Sequence, residues 1–313
     1  MSGPRVLVVA ATHGNERNAA WLLEGWRAEP QTLASCGLEL ALEIGNPAAY
    51  AVNRRYLDRD LNRSFAPELL ADPSRPEREI GRARELLAQY GPDGAQPCAV
   101  VIDLHSTTAA MGNSLVVYGR RPADLALAAG VQARLGLPIY LHEADAAQTG
   151  FLVERWPSGL VIEVGPVPQG VIDPAICRQS QLGLEAVLTV IAEAHGDGLG
   201  LPERLVVHRH LGSVDVPREA DGNPAACLDR RRQGRDWQPI WAGDPLFRHR
   251  HGRLIPYEPS AELAGQPVWP VFINEAAYGE KGIALSLTSR ELWTVKAEWG
   301  DALRAVVQRG APL

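Results

Sequence analysis

Two hydrophobic periods alternate along the first two-thirds of the chain. Short, continuously apolar or alternating runs are typical of strands, and several are rich in β-branched residues. Longer stretches carry apolar residues at helical spacing with polar residues between them. The strand-like runs are 6–11, 38–44, 99–104 and 160–164. The helix-like stretches are 18–27, 77–90, 122–135 and 174–194. This alternation predicts an α/β fold with a mixed or mostly parallel sheet flanked by helices.

The pattern changes after residues 195–202, where three glycines and a proline predict a linker. Beyond the linker, short β-type runs such as 204–210 and 266–273 are separated by turn-rich segments. We therefore predict two domains, a larger one over residues 1–203 and a smaller β-rich one over residues 204–313.

Length and composition narrow the class of protein. A chain of 313 residues with 46% hydrophobic and 22% charged residues is long enough for a full globular core. Its formal net charge of -6 gives no reason to expect a nucleic-acid partner. The arginine cluster at 230–235 is interpreted as a solvated loop, because two aspartates dilute its charge.

The chain is also expected to act away from membranes. No apolar run approaches the length of about 20 residues that spans a bilayer, and no secretory signal is visible. The cysteines are scattered, which fits free thiols in a reducing compartment and predicts a cytoplasmic protein. They are Cys36, Cys98, Cys177 and Cys227.

Metal-binding side chains follow two of the predicted strands. His13 and Glu16 come after the first apolar run, and His105 ends another. Ligands of open α/β sheets gather at the carboxyl ends of the strands, so these residues are expected to converge. A His-x-x-Glu pair alone is common by chance, but two imidazoles and a carboxylate together suit a catalytic zinc with one open position. Asp103 is expected on the same side of its strand as His105, within reach of the second ring nitrogen.

Glu163 is the candidate general base. It lies in an apolar run, where a carboxylate is costly to bury unless it is paired or used. Next to a metal it would take a proton from the attacking water and later pass it to a leaving amine. An arginine across the sheet would neutralise the same carboxylate, and the pattern leaves both interpretations open.

An arginine-rich segment at 53–63 is the candidate substrate-binding loop. Arginine recognises carboxylates through paired hydrogen bonds, although most charged runs are simply solvated. Here Tyr56, Leu57 and Leu61 interrupt the charges and would anchor the segment to a core. Phosphate-binding and dinucleotide-binding glycine motifs are absent from the sequence, as is a serine nucleophile elbow.

Together these motifs resemble the aspartoacylase and succinylglutamate desuccinylase family, which is related to the zinc carboxypeptidases. The resemblance covers nearly the whole chain. The segments that carry it are 12–16 and 103–108 for the metal, 46–47, 55–56 and 60–63 for the substrate, 163–166 and 168–170 for the base, and 241–247 and 271–281 for the aspartoacylase branch.

The resemblance implies a zinc-dependent amidohydrolase, with one Zn²⁺ per subunit, that cleaves a small N-acyl amino acid to a carboxylate and a free amino acid. N-acyl-L-aspartate, such as N-acetylaspartate, is the expected substrate. It further implies a homo-oligomer, a dimer or larger, whose C-terminal domain narrows the site entrance. The implied zinc ligands are His13, Glu16 and His105. The resemblance also implies Glu163 as the base and later the acid, and Arg55 as the residue that stabilises the oxyanion. The implied substrate-binding residues are Arg55, Asn62, Arg63, His105, Glu163 and Tyr278, of which Asn62, Arg63 and Tyr278 would bind the amino-acid carboxylate.

One position departs from the aspartoacylase pattern. These enzymes place an arginine about ten residues before the catalytic glutamate, where this chain has Val153 and a spacing that looks stretched by about two residues. Arg155 is a candidate replacement from a shifted loop. The alternatives are the same chemistry on an N-acyl aromatic amino acid or succinylglutamate, or a zinc-binding protein without activity.

Overall fold

The computed structural model describes residues 3–143, 148–196 and 198–309. Within these residues the strands are β1 (Arg5–Ala10), β2 (Glu39–Ile44), β3 (Val100–Ser106), β4 (Gly112–Tyr118), β5 (Ile139–His142), β6 (Ser158–Gly165), β7 (Arg204–Asp215), β8 (Ala226–Leu228), β9 (Pro245–His249), β10 (Leu254–Pro256), β11 (Trp269–Val271) and β12 (Ile283–Thr294). The α-helices are α1 (Arg17–Ala28), α2 (Pro47–Ala51), α3 (Pro67–Ala71), α4 (Arg78–Tyr90), α5 (Pro122–Leu135), α6 (Pro174–His195) and α7 (Ala297–Arg309). Short 3₁₀ helices cover Pro30–Thr32, Leu61–Arg63, Leu152–Arg155, Ala261–Leu263 and Ala276–Lys281.

Nine strands form one mixed sheet in the order β11-β12-β7-β5-β4-β6-β3-β1-β2. Strands β2, β1, β3 and β6 are mutually parallel, β4 runs antiparallel to β6, and β5 and β7 are parallel to β4. The last two strands, β12 and β11, add in antiparallel fashion. The predicted mixed sheet flanked by helices is confirmed.

The two faces of the sheet have different partners. Alternate residues of a strand point to opposite faces, so Val6 and Val8 of β1 pack with helices α1, α5, α6 and α7 in one core. Leu7 and Val9 pack on the other face, in a second core that includes residues of α4 and of the loops near it. The second face also carries His105 and Glu163, so the site lies opposite the main helical layer.

The chain after the linker both extends the large sheet and builds a small one. Helix α6 ends at His195 and β7 begins at Arg204, which confirms the predicted break between them. Strands β10, β9 and β8 form a separate antiparallel sheet with its own small core. The final helix, α7, returns to pack on α5 and α6. The division into domains at residues 203 and 204 stays a prediction.

Two further observations bear on the expected setting of the protein. Among the described residues, no helix has the length and hydropathy needed to cross a membrane. All four cysteines carry free thiols, two of them buried and two exposed.

Candidate metal centre and active-site cavity

Local backbone geometry brings the first histidine to the end of the sheet. After β1 the chain turns through Ala11, which adopts a left-handed φ of 51°. The loop then presses against α2, where a Cβ on Gly14 would lie 2.2 Å from the backbone of Ala49 and Tyr50. Only glycine tolerates that approach, so Gly14 fixes the position of the neighbouring His13.

Strand register places the other two residues. Strands β3 and β6 are parallel, and His105 lies directly opposite Glu163 in their ladder. Side chains paired in this way project from the same face of the sheet. The second histidine and the candidate base are therefore neighbours through the register alone.

His13, Glu16 and His105 form a buried cluster whose ligand atoms all lie within 4.8 Å of one another. Nδ1 of His13 is 2.6 Å from Oε1 of Glu16, and Nδ1 of His105 is 3.0 Å from Oε2 of the same carboxylate. The backbone amide of Ser106 donates to Oε2 at 2.9 Å and holds the carboxylate in place. The structure thus brings the three predicted metal ligands together.

Each imidazole is backed by an aspartate on its other nitrogen. Nε2 of His105 lies 2.8 Å from Asp103, as predicted, and Thr12 donates to the same carboxyl group at 2.6 Å. Nε2 of His13 lies 2.9 Å from Asp60, a partner that the sequence analysis did not assign. Such carboxylates orient an imidazole and leave its opposite nitrogen free to ligate a metal.

The charge balance of the cluster also suits a cation. Burial opposes ionisation of Glu16, but His13 and His105 hold the pKa of its carboxyl group below the ordinary value. Burial likewise opposes ionisation of Asp60, whose pKa is nevertheless lowered by His13 and Arg55. The carboxylates around the two imidazoles are Glu16, Asp60, Asp103 and Glu163. When the two imidazoles are neutral, as metal ligation requires, these carboxylates exceed the arginine charge beside them, so a divalent cation held by two nitrogens and one oxygen fits this site.

Glu163 lies on the cavity wall without an ion-pair partner. No arginine, lysine or histidine in the described part of the chain lies within ion-pair distance of its carboxylate. Burial raises the pKa of Glu163 well above its ordinary value, and the nearby Glu16 raises it further while His105 opposes the shift. A carboxylate with a raised pKa in a cleft is suited to accept and return a proton. The alternative of a cross-sheet arginine partner finds no support here.

Arg55 reaches into the metal cluster from the candidate substrate loop. Its guanidinium lies 3.3 Å from Glu16 and 3.2 Å from Asp60. Burial lowers the pKa of Arg55, but these two carboxylates more than compensate and hold it above the ordinary value. The Nε atom is buried and has no hydrogen-bond partner among the described residues. The Arg55 side chain as a whole is partly exposed and lines the cavity, where its guanidinium can meet a negatively charged ligand.

Asn62 and Arg63 add further hydrogen-bond donors to the lining of the cavity. The Asn62 Oδ1 atom accepts from the backbone of Leu152 at 2.9 Å, which leaves the amide NH₂ group as a donor. The Arg63 guanidinium stacks over the Phe151 ring at 4.1 Å and donates to Gln148 at 3.1 Å. Its Nε atom is also buried without a partner in the described structure. Both residues line the cavity, as predicted.

The chain after the linker contributes Tyr278 to the same cavity. Burial raises the pKa of Tyr278 to about 12, so the phenol stays neutral and can donate a hydrogen bond. On the same 3₁₀ helix as Tyr278, Glu280 accepts a hydrogen bond from the Tyr56 hydroxyl of the candidate substrate loop at 2.7 Å. The predicted substrate-contact residues therefore meet around one space.

Glu275 fastens this part of the chain to the loop after β3. Its carboxylate accepts from the Thr107 hydroxyl, from the backbone of Thr108 at 2.8 Å and from the backbone of Ala109 at 3.1 Å. A second oxygen accepts from Ala277 at 3.1 Å, close to Tyr278. Glu275 thus joins the two halves of the cavity wall.

Replacing Glu275 with alanine is expected to destabilise the protein by roughly 3 kcal/mol, because it strands several buried donors at about 1–3 kcal/mol each. Chemical denaturation of the variant beside wild type measures the change. Glu262→Ala, at an exposed position of the same half, serves as the control and should leave stability unchanged. A Glu275→Ala protein as stable as wild type would contradict the fastening role.

The remaining cavity wall is largely aromatic. The cavity opens to solvent. Phe151 stacks on Tyr118 with ring centroids 3.7 Å apart. The other apolar, aromatic and imidazole lining residues are Val116, Tyr140, His142, Val161, Phe272 and Ala277.

Arg155 does not take part in this wall. Its side chain is exposed, and it is not among the described residues that line the cavity. Val153 is buried in the core beneath the sheet. Phe151, two residues earlier still, is the residue of this segment that faces the cavity. The sequence analysis did not assign Phe151, because it searched this segment only for an arginine that could pair with a carboxylate.

Comparison with known proteins gives matches along nearly the whole chain. Residues 2–191 match the model of the succinylglutamate desuccinylase/aspartoacylase catalytic domain, and residues 203–290 match that of the AstE/AspA barrel-sandwich hybrid domain. A probable aspartoacylase of Parasynechococcus marenigrum is 58% identical over 96% of this chain and 98% of its own length. A probable aspartoacylase of Prochlorococcus marinus is 54% identical over 98% of this chain and 99% of its own length. The crystal structure of murine aminoacylase 3 superimposes with a TM-score of 0.84 at 34% identity, covering 94% of this chain and 98% of that one.

Proposed function

This chain belongs to the succinylglutamate desuccinylase/aspartoacylase family, and we propose that it hydrolyses N-acyl amino acids with one zinc ion per subunit. Membership supports a hydrolase of acyl amino acids. The observation that carries the finer proposal is the meeting of a His-Glu-His cluster, a carboxylate with raised pKa and two arginines in one cavity. The products are a carboxylate and a free amino acid.

His13, Glu16 and His105 would hold the zinc ion. A bound zinc ion supplies Lewis acidity, which polarises the acyl carbonyl group and makes a neighbouring water more acidic. Glu163 accepts the proton of the attacking water, for which its position opposite His105 is suited. The Arg55 guanidinium faces the same point and stabilises the negative charge that develops on the acyl oxygen.

Glu163 then returns the proton to the nitrogen of the leaving amine, which breaks the amide bond and frees the amino acid. Asn62, Arg63 and the neutral Tyr278 phenol would bind the α-carboxylate and hold the amide bond beside Glu163. Fixing the substrate in this way lowers the entropic part of the barrier.

Treatment with a chelator is expected to abolish turnover of an N-acetyl amino acid, and added zinc should restore it. His13→Ala should lose both zinc and activity, because two ligands hold the ion far more weakly than three. His249→Ala, in the small sheet, is the matched control and should keep both. Zinc content by atomic absorption and release of free amino acid measure the outcome. Stoichiometric zinc with no activity on any N-acyl substrate would instead indicate a zinc-binding protein without chemistry.

Two kinds of amino-acid side chain are supported for the substrate, an aspartate side chain and an aromatic one. The relatives described as probable aspartoacylases favour N-acyl-L-aspartate. The cavity wall favours an aromatic amino acid, because Phe151, Tyr118 and Phe272 supply ring surfaces in the cavity while Arg155 is exposed outside it. We propose N-acyl-L-aspartate first and N-acyl aromatic amino acids as the alternative that the wall supports.

Substitution of Phe151 by arginine tests this choice. If the wall recognises aromatic rings, the variant should lose kcat/KM for N-acetyl-L-phenylalanine by about 10-fold or more and gain on N-acetyl-L-aspartate, since a guanidinium would pair with the side-chain carboxylate. Arg155→Ala is the control and should leave both rates unchanged. If Arg155→Ala alone removes turnover of N-acetyl-L-aspartate, the exposed arginine does serve the substrate and the aromatic alternative fails.

A further inference from the structure

A buried glutamate on helix α4 binds the loop that carries Arg55. Glu79 is only 1% exposed. Its Oε1 atom accepts from the backbone of Leu57 at 2.7 Å, and Oε2 accepts from Asp58 at 3.1 Å and Arg59 at 3.3 Å. The Asn46 side chain adds a fourth donor at 3.1 Å. The described structure gives Glu79 no ion-pair partner, so its charge is offset by amide dipoles.

Three successive backbone amides that point at one acceptor form a concave anion site, here filled by a side chain of the same protein. Hydrogen bonds to a charged acceptor are about twice as strong as neutral ones. The bound loop cannot satisfy these amides with regular helix or sheet bonds, because they converge on one side. Glu79 therefore determines the path of the loop.

In the sequence, the three amides that donate to Glu79 lie between two residues of the site. Arg55, two residues before them, contacts Glu16 through its guanidinium, and its carbonyl accepts from Gly14 at 3.1 Å. Asp60, one residue after them, contacts His13 at 2.9 Å. A shift of the held amides would move the oxyanion donor and the partner of a zinc ligand together.

We propose that Glu79 is a positioning residue, which acts through the amides of residues 57–59 to aim Arg55 at the acyl oxygen and Asp60 at His13. Its effect on the rate depends on the proposed function, whereas its effect on the loop does not. Glutamine is the informative replacement, since one acceptor oxygen becomes an NH₂ group that faces N–H donors.

Amide hydrogen exchange tests the loop directly in the full chain. In Glu79→Gln, the amides of Leu57, Asp58 and Arg59 are expected to exchange at least about 10-fold faster than in wild type, with the sheet amides unchanged. Asp229→Asn is the matched control, because Asp229 is also fully buried and accepts a backbone amide, but lies in the other half of the chain. Unchanged exchange at residues 57–59 in Glu79→Gln would overturn the proposal.

A double-mutant cycle tests the action through Arg55. Glu79→Gln should lower kcat by about 10-fold or more, because Arg55 would no longer be aimed at the acyl oxygen. Combined with Arg55→Lys, it should add little further loss, because both changes remove one function. Fully additive losses would overturn the action through Arg55. If wild type hydrolyses no N-acyl substrate, the proposed function fails, and exchange still decides whether Glu79 holds the loop.

Discussion

Replacing Glu163 with glutamine is expected to lower kcat by about 10²–10⁴-fold while zinc stays bound. The carboxylate is absent from the His-Glu-His cluster, so its loss leaves the ligands in place. It lies opposite His105 without an ion-pair partner in the described structure, and glutamine fills nearly the same volume. The variant thus removes the proton acceptor and little else. Retained zinc with wild-type turnover would show that another group accepts the proton.

The same variant carries a second signature in its pH dependence. The pKa of Glu163 is raised mainly by burial, so wild-type turnover should rise with pH as this carboxyl group ionises. Glu163→Gln should lose that rise. A folded pKa above the unfolded one also means that the folded protein loses stability as pH rises through the interval between them. The metal-free variant should therefore melt at a higher temperature than metal-free wild type at neutral pH, which calorimetry measures.

Replacing Arg55 with alanine is expected to cost about 10²–10³-fold in kcat, the usual effect of removing one donor to a developing oxyanion. The guanidinium contacts Glu16 and Asp60, and the side chain lines the cavity. Removing it leaves those carboxylates more negative in total, so the cation should bind no more weakly than before. Loss of turnover with retained zinc would separate this role from metal binding.

Arg54→Ala provides the control for this change. Arg54 is the preceding residue of the same loop and is exposed, so its removal alters the charge of the loop without touching the cluster. Its kcat should stay within about 2-fold of wild type, as is usual for surface substitutions. Equal losses of kcat in Arg54→Ala and Arg55→Ala would show that the effect comes from the overall positive charge of the loop and not from a direct contact of Arg55.

The sequence allowed the sheet, most of its helices and the metal cluster to be predicted, because each depends on a local pattern. His105 and Asp103 share a strand face through its two-residue period, and both were placed correctly. The strands β4 and β5 were missed: β4 begins at a glycine and β5 is only four residues long. Strand β4 ends at Tyr118 and β5 includes Tyr140, and both tyrosines line the cavity.

Other site features depend on contacts between distant segments, for which no local pattern exists. The pairing of Asp60 with His13 spans 47 residues, and that of Glu275 with Thr107 spans 168. Phe151 immediately precedes the 3₁₀ helix Leu152–Arg155 and lines the cavity, whereas Arg155 at the end of that helix is exposed. Charge alone favoured the arginine, and only the backbone path shows which side chain faces inward.

Helix α7 has a consequence for the position of Tyr278 in the cavity. It packs on α5 and α6 through Trp299, Leu303 and Val307, so the half of the chain that supplies Tyr278 is joined to the rest at both of its ends. A unit attached at two ends swings far less than one on a single linker. Tyr278 is therefore expected to keep nearly the same distance from the His-Glu-His cluster whether or not the cavity holds a ligand.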